Sequence, residues 1–221
     1  MASVSNEVFA DYRKLCEERW GVTIVEKSES KLMKAIAAVM FFNKTFLTEY
    51  ITTIGTTIYW PKAAEVNGRD FKTLFHESQH AYDYKKFPIW FILSYLSPQI
   101  FSIFALMAFV SLTGNMLWLL SLLCLLMLAP IPSVMRTHWE VRGYSCGIAA
   151  HVWLDGVFPE RYKKHYKKNF TTSAYYFMWP FSRSMDRKLK RAEQKVRMDA
   201  LTEVQRATKD FLFRRGLLGG S

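Results

Sequence analysis

Residues 75–84 read FHESQHAYDY, and the order His76-Glu77-x-x-His80 inside that stretch decides how the rest of the chain is read. The surrounding segment, FKTLFHESQHAYDYKK, follows the loop KAAEVNGR and Asp70, a candidate N-cap, and ends just before Pro88, so a helix is expected there. Side chains four apart on a helix project from one face, so the two imidazoles can converge on a single cation. Neutral imidazole nitrogen suits Zn2+, and three protein ligands leave a fourth position open for water. A carboxylate at Glu77 can take a proton from such a water as it attacks a carbonyl, and later deliver it to the leaving amine. His76 and His80 are therefore candidate metal ligands and Glu77 a candidate general acid/base.

Working outward, residues 6–19 carry apolar positions at helical spacing, with Gly21 as a stop. VTIVEKS, residues 22–28, is rich in β-branched side chains and predicts a short strand. SESKLMKAIAAVMFF predicts an amphipathic helix with Ser28 or Ser30 as its cap. Between Thr45 and Trp60 the dense Thr, Ile, Tyr and Phe content predicts two strands joined or bulged at Gly55. Further on, RTHWEVRGYSCGIAAHVW again has helical spacing, and residues 183–215 predict one long basic amphipathic helix. Strands followed by helices give an expected α+β fold.

With its strand, TTIYWP, ahead of the His-Glu-x-x-His helix, the chain resembles the zincin superfamily of metallopeptidases. The resemblance implies a zincin-like domain with a small sheet whose edge strand lies beside that helix and pairs with an extended substrate. The metzincin extension is missing, because Lys86 stands where a third His would be. A gluzincin-like site takes its third ligand from a Glu on a later helix, which here points to Glu140, with Arg136 and Tyr144 one turn to either side to orient its carboxylate. His138 is the rival ligand, whereas His151 and His165 read as core-edge and surface histidines. Zincins often place a Tyr or His where it stabilises the developing oxyanion, which makes Tyr175 and Tyr176, in AYYFMWPF, candidates for that role.

Composition limits the partners. Half of the 221 residues are hydrophobic and 22% are charged, which excludes both a disordered chain and a mostly lipid-embedded one. A net charge of +11 favours anionic partners. No nucleic-acid module signature accompanies that charge, so a nucleic-acid partner is set aside. The three cysteines, Cys16, Cys124 and Cys146, lack CxxC pairing, which fits a reducing compartment and argues against a thiolate zinc site. The N-terminal stretch lacks the layout of a cleavable secretion signal, so any membrane targeting is expected to be internal.

Residues 87–135 contain no charged side chain, and Thr113-Gly114-Asn115 divides them into two arms. The arms, about 25 and about 20 residues long, reach bilayer length unless Pro98 and Pro130 break them. The expected organisation is a catalytic domain formed by residues 1–86 and 136–182, a hydrophobic helical hairpin at 87–135, and a basic C-terminal helix and tail at 183–221. Membrane lipid is the expected partner of residues 88–135. The basic flanks Lys85, Lys86 and Arg136 place the catalytic domain on the cytoplasmic side. The C-terminal helix is expected to pack by its apolar stripe and to face an anionic surface with its lysines and arginines. The expected function is zinc-dependent hydrolysis of peptide bonds in a peptide or protein substrate, by an enzyme tethered to a membrane. The alternative is a structural or assembly protein, of a virion or a secretion-like machine, that keeps the fold and uses the hairpin for interaction or membrane insertion.

Overall fold

The computed structural model describes residues 4–39, 45–172 and 177–218. Helix α1, Asn6–Trp20, starts where the Ser5 side chain accepts from the Val8 amide and stops at Gly21, whose φ of 71° is a left-handed backbone that favours glycine. It buries Phe9, Tyr12, Cys16 and Trp20, which recur at the helical period. Three short strands follow the expected positions: β1 (Thr23–Glu26), β2 (Thr52–Ile54) and β3 (Thr57–Trp60), with α2 (Lys31–Val39) between the first two. Gly55, at φ +65°, makes the tight β2–β3 turn.

The sheet departs from the expected architecture. Its order is β1-β3-β2, with β1 parallel and β2 antiparallel to β3. TTIYWP, expected at an edge, is therefore the central strand, and β2 is an edge. The strands are only four, three and four residues long, whereas helices α3 (Phe71–Lys86) and α5 (Val134–Asp155) have 16 and 22 residues. The protein is mostly helical with a small accessory sheet, which corrects the expected α+β zincin-like class. The strands form where strand propensity puts them, but three short strands do not make a layer on which helices are organised.

The chain divides into two compact units: Met1–Pro88 with Arg142–Pro159 and Arg191–Ser221, and Ile89–Val141 with Glu160–Lys190. In the first, Tyr12 packs on Phe71 with ring centroids 4.7 Å apart, and its hydroxyl meets Thr208 Oγ1 at 3.0 Å, tying α1 to α3 and to α8 (Glu203–Arg214). Burial pushes the Cys16 thiol up to about 12. The buried Lys27 ammonium donates to Tyr50 O and Thr52 Oγ1, both at 2.8 Å, and burial lowers its pKa to about 8.

The second unit holds α4 (Pro88–Tyr95), the apolar hairpin, the start of α5, α6 (Glu160–Thr171) and most of α7 (Ser182–Arg197). The hairpin arms, Gln99–Thr113 and Met116–Leu128, wind as 3-10 helices and meet at Gly114. Small residues every third position, Ser102, Ala105, Ala108 and Ser111, line up on one side only at three residues per turn. Ala105 and Ser111 are the buried members of this first arm, and Ser121 of the second arm donates to Ala105 O at 3.5 Å. Small residues let the two backbones approach, as they do between helices in lipid. The outer positions stay exposed, Leu112 at 84% and Leu117 at 72%.

Among the described residues no single helix is long and apolar enough to cross a membrane. Pro88–Tyr95 and Gln99–Thr113 qualify only as a pair, bent by 84° at the break before Gln99. The expected single C-terminal helix is two helices, α7 and α8. Asp199, at φ 57°, breaks it, and Thr202 recaps it by accepting from the Gln205 amide while the Gln205 side chain accepts from the Thr202 amide.

Candidate metal centre

Helices α3 and α5 are locked together within the first unit by a bidentate ion pair. Arg142 Nη2 donates to Asp83 Oδ1 at 2.7 Å and Nε donates to Oδ2 at 3.0 Å, while Gln79 Nε2 donates to Asp83 Oδ1 at 3.0 Å. Next to that pair, Gly143 faces His76. A Cβ at residue 143 would sit 2.7 Å from His76 Cε1 and Nε2, so the imidazole occupies a notch that only glycine leaves open. Tyr144 closes the same ring edge-on, with centroids 4.8 Å apart. Glu140 precedes Gly143 by less than one turn of the same unbroken helix, so the packing that seats His76 also sets where this carboxylate points.

His76 Nε2 and His80 Nε2 lie 3.0 Å apart. One ligand atom each from His76, His80 and Glu140 falls within 4.8 Å of the others. Two nitrogens each about 2.0–2.1 Å from a tetrahedral cation would be roughly 3.3 Å apart, close to the observed separation. The donor set of two imidazoles and one carboxylate suits a divalent ion such as zinc. His80 and Glu140 are buried, at 5% and 2% exposure, whereas His76 and Glu77 are half-exposed, so the group opens on the His76–Glu77 side.

Glu77 is held from the sheet. Thr53, on the edge strand β2, donates from Oγ1 to Glu77 Oε2 at 2.6 Å. On the Glu140 side, Tyr95 at the end of α4 donates its phenolic proton to Glu140 Oε1, and the Arg136 guanidinium lies over the Tyr95 ring at 5.2 Å from its centroid.

The remaining sequence candidates separate clearly. His138 is exposed, against Trp139, and lies outside the converging group. His151 is buried in a different cluster, with Lys72 Nζ and Asp155 Oδ2 at 2.9 and 2.8 Å from its Nδ1. His165 is exposed. Tyr175 and Tyr176 fall outside the described residues. Three residues at the site escaped the sequence reading: Thr53, Gly143 and Tyr95. Only Tyr95 left a trace, as a phenol in an otherwise charge-free apolar run.

Comparison with protein-family models, with curated proteins and with solved structures returns no match.

Proposed function

We propose that the chain is a zinc-dependent peptidase, with His76, His80 and Glu140 as metal ligands and Glu77 as general acid/base, held at a membrane by its apolar hairpin. The observation that carries this reading is the convergence of the two α3 imidazoles with a carboxylate from α5, beside a second carboxylate, Glu77, that faces the open side. A bound zinc would polarise a carbonyl and make water acidic enough to serve as the nucleophile near neutral pH. Glu77 does the proton work: its carboxylate accepts the proton released by the attacking water and returns it to the departing amine nitrogen. Thr53 fixes one Glu77 oxygen, so the other would be the one to meet that water. The resemblance to metallopeptidases rests on this ligand motif, since the mostly helical fold lends it no support.

The hairpin supports the membrane part of the reading. At about 2.0 Å per residue its 15- and 13-residue 3-10 arms reach roughly 30 and 26 Å, near the thickness of a bilayer's hydrocarbon core. A membrane with the hairpin inserted from one side leaves Lys85, Lys86 and Arg136 on that side, which is the cytoplasmic one by charge bias. Helix α7 buries Met185, Leu189, Ala192 and Val196 and turns its basic side chains outward, which suits acidic headgroups as a further partner.

The test is metal analysis of the purified chain together with peptide cleavage in detergent. The parent is expected to hold about one zinc and His76→Ala nearly none. Glu77→Gln is expected to keep the metal and lose at least about a hundredfold in kcat. Less than half an equivalent of zinc in the parent, or undiminished cleavage by Glu77→Gln, overturns the reading.

A further inference from the structure

A residue that meets Glu140, Tyr95, comes from the apolar segment. Helix α4 docks on the first turns of α5 through consecutive polar contacts within the second unit. Trp139 Nε1 donates to Ser94 Oγ at 2.8 Å, the Tyr95 phenol donates to Glu140 Oε1, and Ser133 Oγ donates to Ser97 O at 2.5 Å. Aromatic packing reinforces them, with the Phe91 ring 5.1 Å from Trp139 and 5.5 Å from Tyr95. The Tyr95 ring is thus held by Phe91 on one side and by the Arg136 guanidinium, so its hydroxyl has little freedom to leave the carboxylate.

We infer that Tyr95 is a positioning residue of the metal centre: its phenol engages one Glu140 oxygen, fixes the plane of the carboxylate and directs the other oxygen toward the imidazole pair. The inference rests on the metal-centre reading above and deepens it by assigning a supporting role to the base of the apolar insert. A carboxylate has two equivalent oxygens and a rotatable terminal torsion, so without a partner on one oxygen the ligand samples several orientations and loses affinity for the ion. A hydroxyl donor is well suited, because it orients the carboxylate without neutralising the charge that the cation requires.

The experiment measures zinc affinity by chelator competition, and the visible spectrum of the Co2+ form, for the full chain in detergent. Tyr95→Phe removes one oxygen and keeps the ring contacts. It is expected to bind zinc about 10–100-fold more weakly, with a shifted cobalt band and unchanged helix content by circular dichroism. Ser94→Ala breaks the neighbouring contact to Trp139 without touching the carboxylate and is expected to leave affinity and spectrum as in the parent. A Tyr95→Phe chain that matches the parent within twofold and keeps its cobalt band overturns the assignment. So does a Ser94→Ala chain that loses as much affinity, since docking of α4 rather than the phenol would then be responsible. A parent that binds neither ion is a distinguishable result: it overturns the metal-centre reading and this assignment together.

Discussion

Two polar clusters lie along the same pair of helices, and they differ in the groups that each brings to its histidines. At the start of α3, Lys72 Nζ lies 2.9 Å from His151 Nδ1 and 3.3 Å from Asp155 Oδ2, so an imidazole and a carboxylate of α5 are matched by an amine from the chain itself. One turn further along α3, ligand atoms of two imidazoles and of the Glu140 carboxylate lie within 4.8 Å of one another. The comparison teaches that histidine beside carboxylate does not define a metal centre. Lys72 stands beside the imidazole and carboxylate of the first cluster, and Gly143 leaves room for the His76 ring in the second.

The largest effect that can test this contrast is at the notch. In Gly143→Ala the new Cβ cannot coexist with the His76 ring, and a side chain yields more readily than a helix backbone. Zinc affinity should therefore fall by about 10–100-fold in a chelator titration, while the urea midpoint of the metal-free chain barely moves. The converse holds at the closed cluster. Lys72→Met leaves Asp155 and His151 without their ammonium, which should lower the unfolding free energy by about 1–3 kcal/mol while zinc stoichiometry stays at one. If both variants lose metal and stability together, the two clusters are one cooperative network and the contrast fails.

The smallest effect concerns pH. Lys27 has a folded pKa lowered from 10.5 to about 8, so between those values the unfolded chain binds more protons and stability rises with pH. Cys16 has the opposite sign. Its folded pKa is raised from 9.0 to about 12, so the unfolded chain loses its proton first, and stability falls from pH 9 upward by at most about 1.4 kcal/mol per pH unit. Urea midpoints of the reduced protein should therefore rise gently between pH 8 and 9 and decline above about 10.5. Cys16→Ala should flatten the decline, and a parent whose midpoint rises steadily to pH 11 would contradict the burial of that thiol.

Much of the local structure was legible in the sequence because it depends on short-range rules. The apolar period of residues 6–19, the turn at Gly55 and the helix carrying His76 and His80 each follow from residues within one or two turns. The fold class was not legible, because whether TTIYWP is an edge or a centre depends on which strand arrives on its other side. Thr53 meets Glu77 across 24 residues and Tyr95 meets Glu140 across 45, and no local period encodes such pairings. Two further features have a local signal: Thr202 followed three residues later by Gln205 is a capping signature, and the three-residue spacing of Ser102, Ala105, Ala108 and Ser111 anticipates the winding of the first arm.

That winding has a geometric consequence. A rod with three residues per turn has three flat sides; the first arm turns the side of Ala105 and Ser111 inward, while the second arm buries none of its residues and stays apolar and open around its perimeter. The hairpin accordingly keeps apolar surface on every side that its own pairing leaves uncovered.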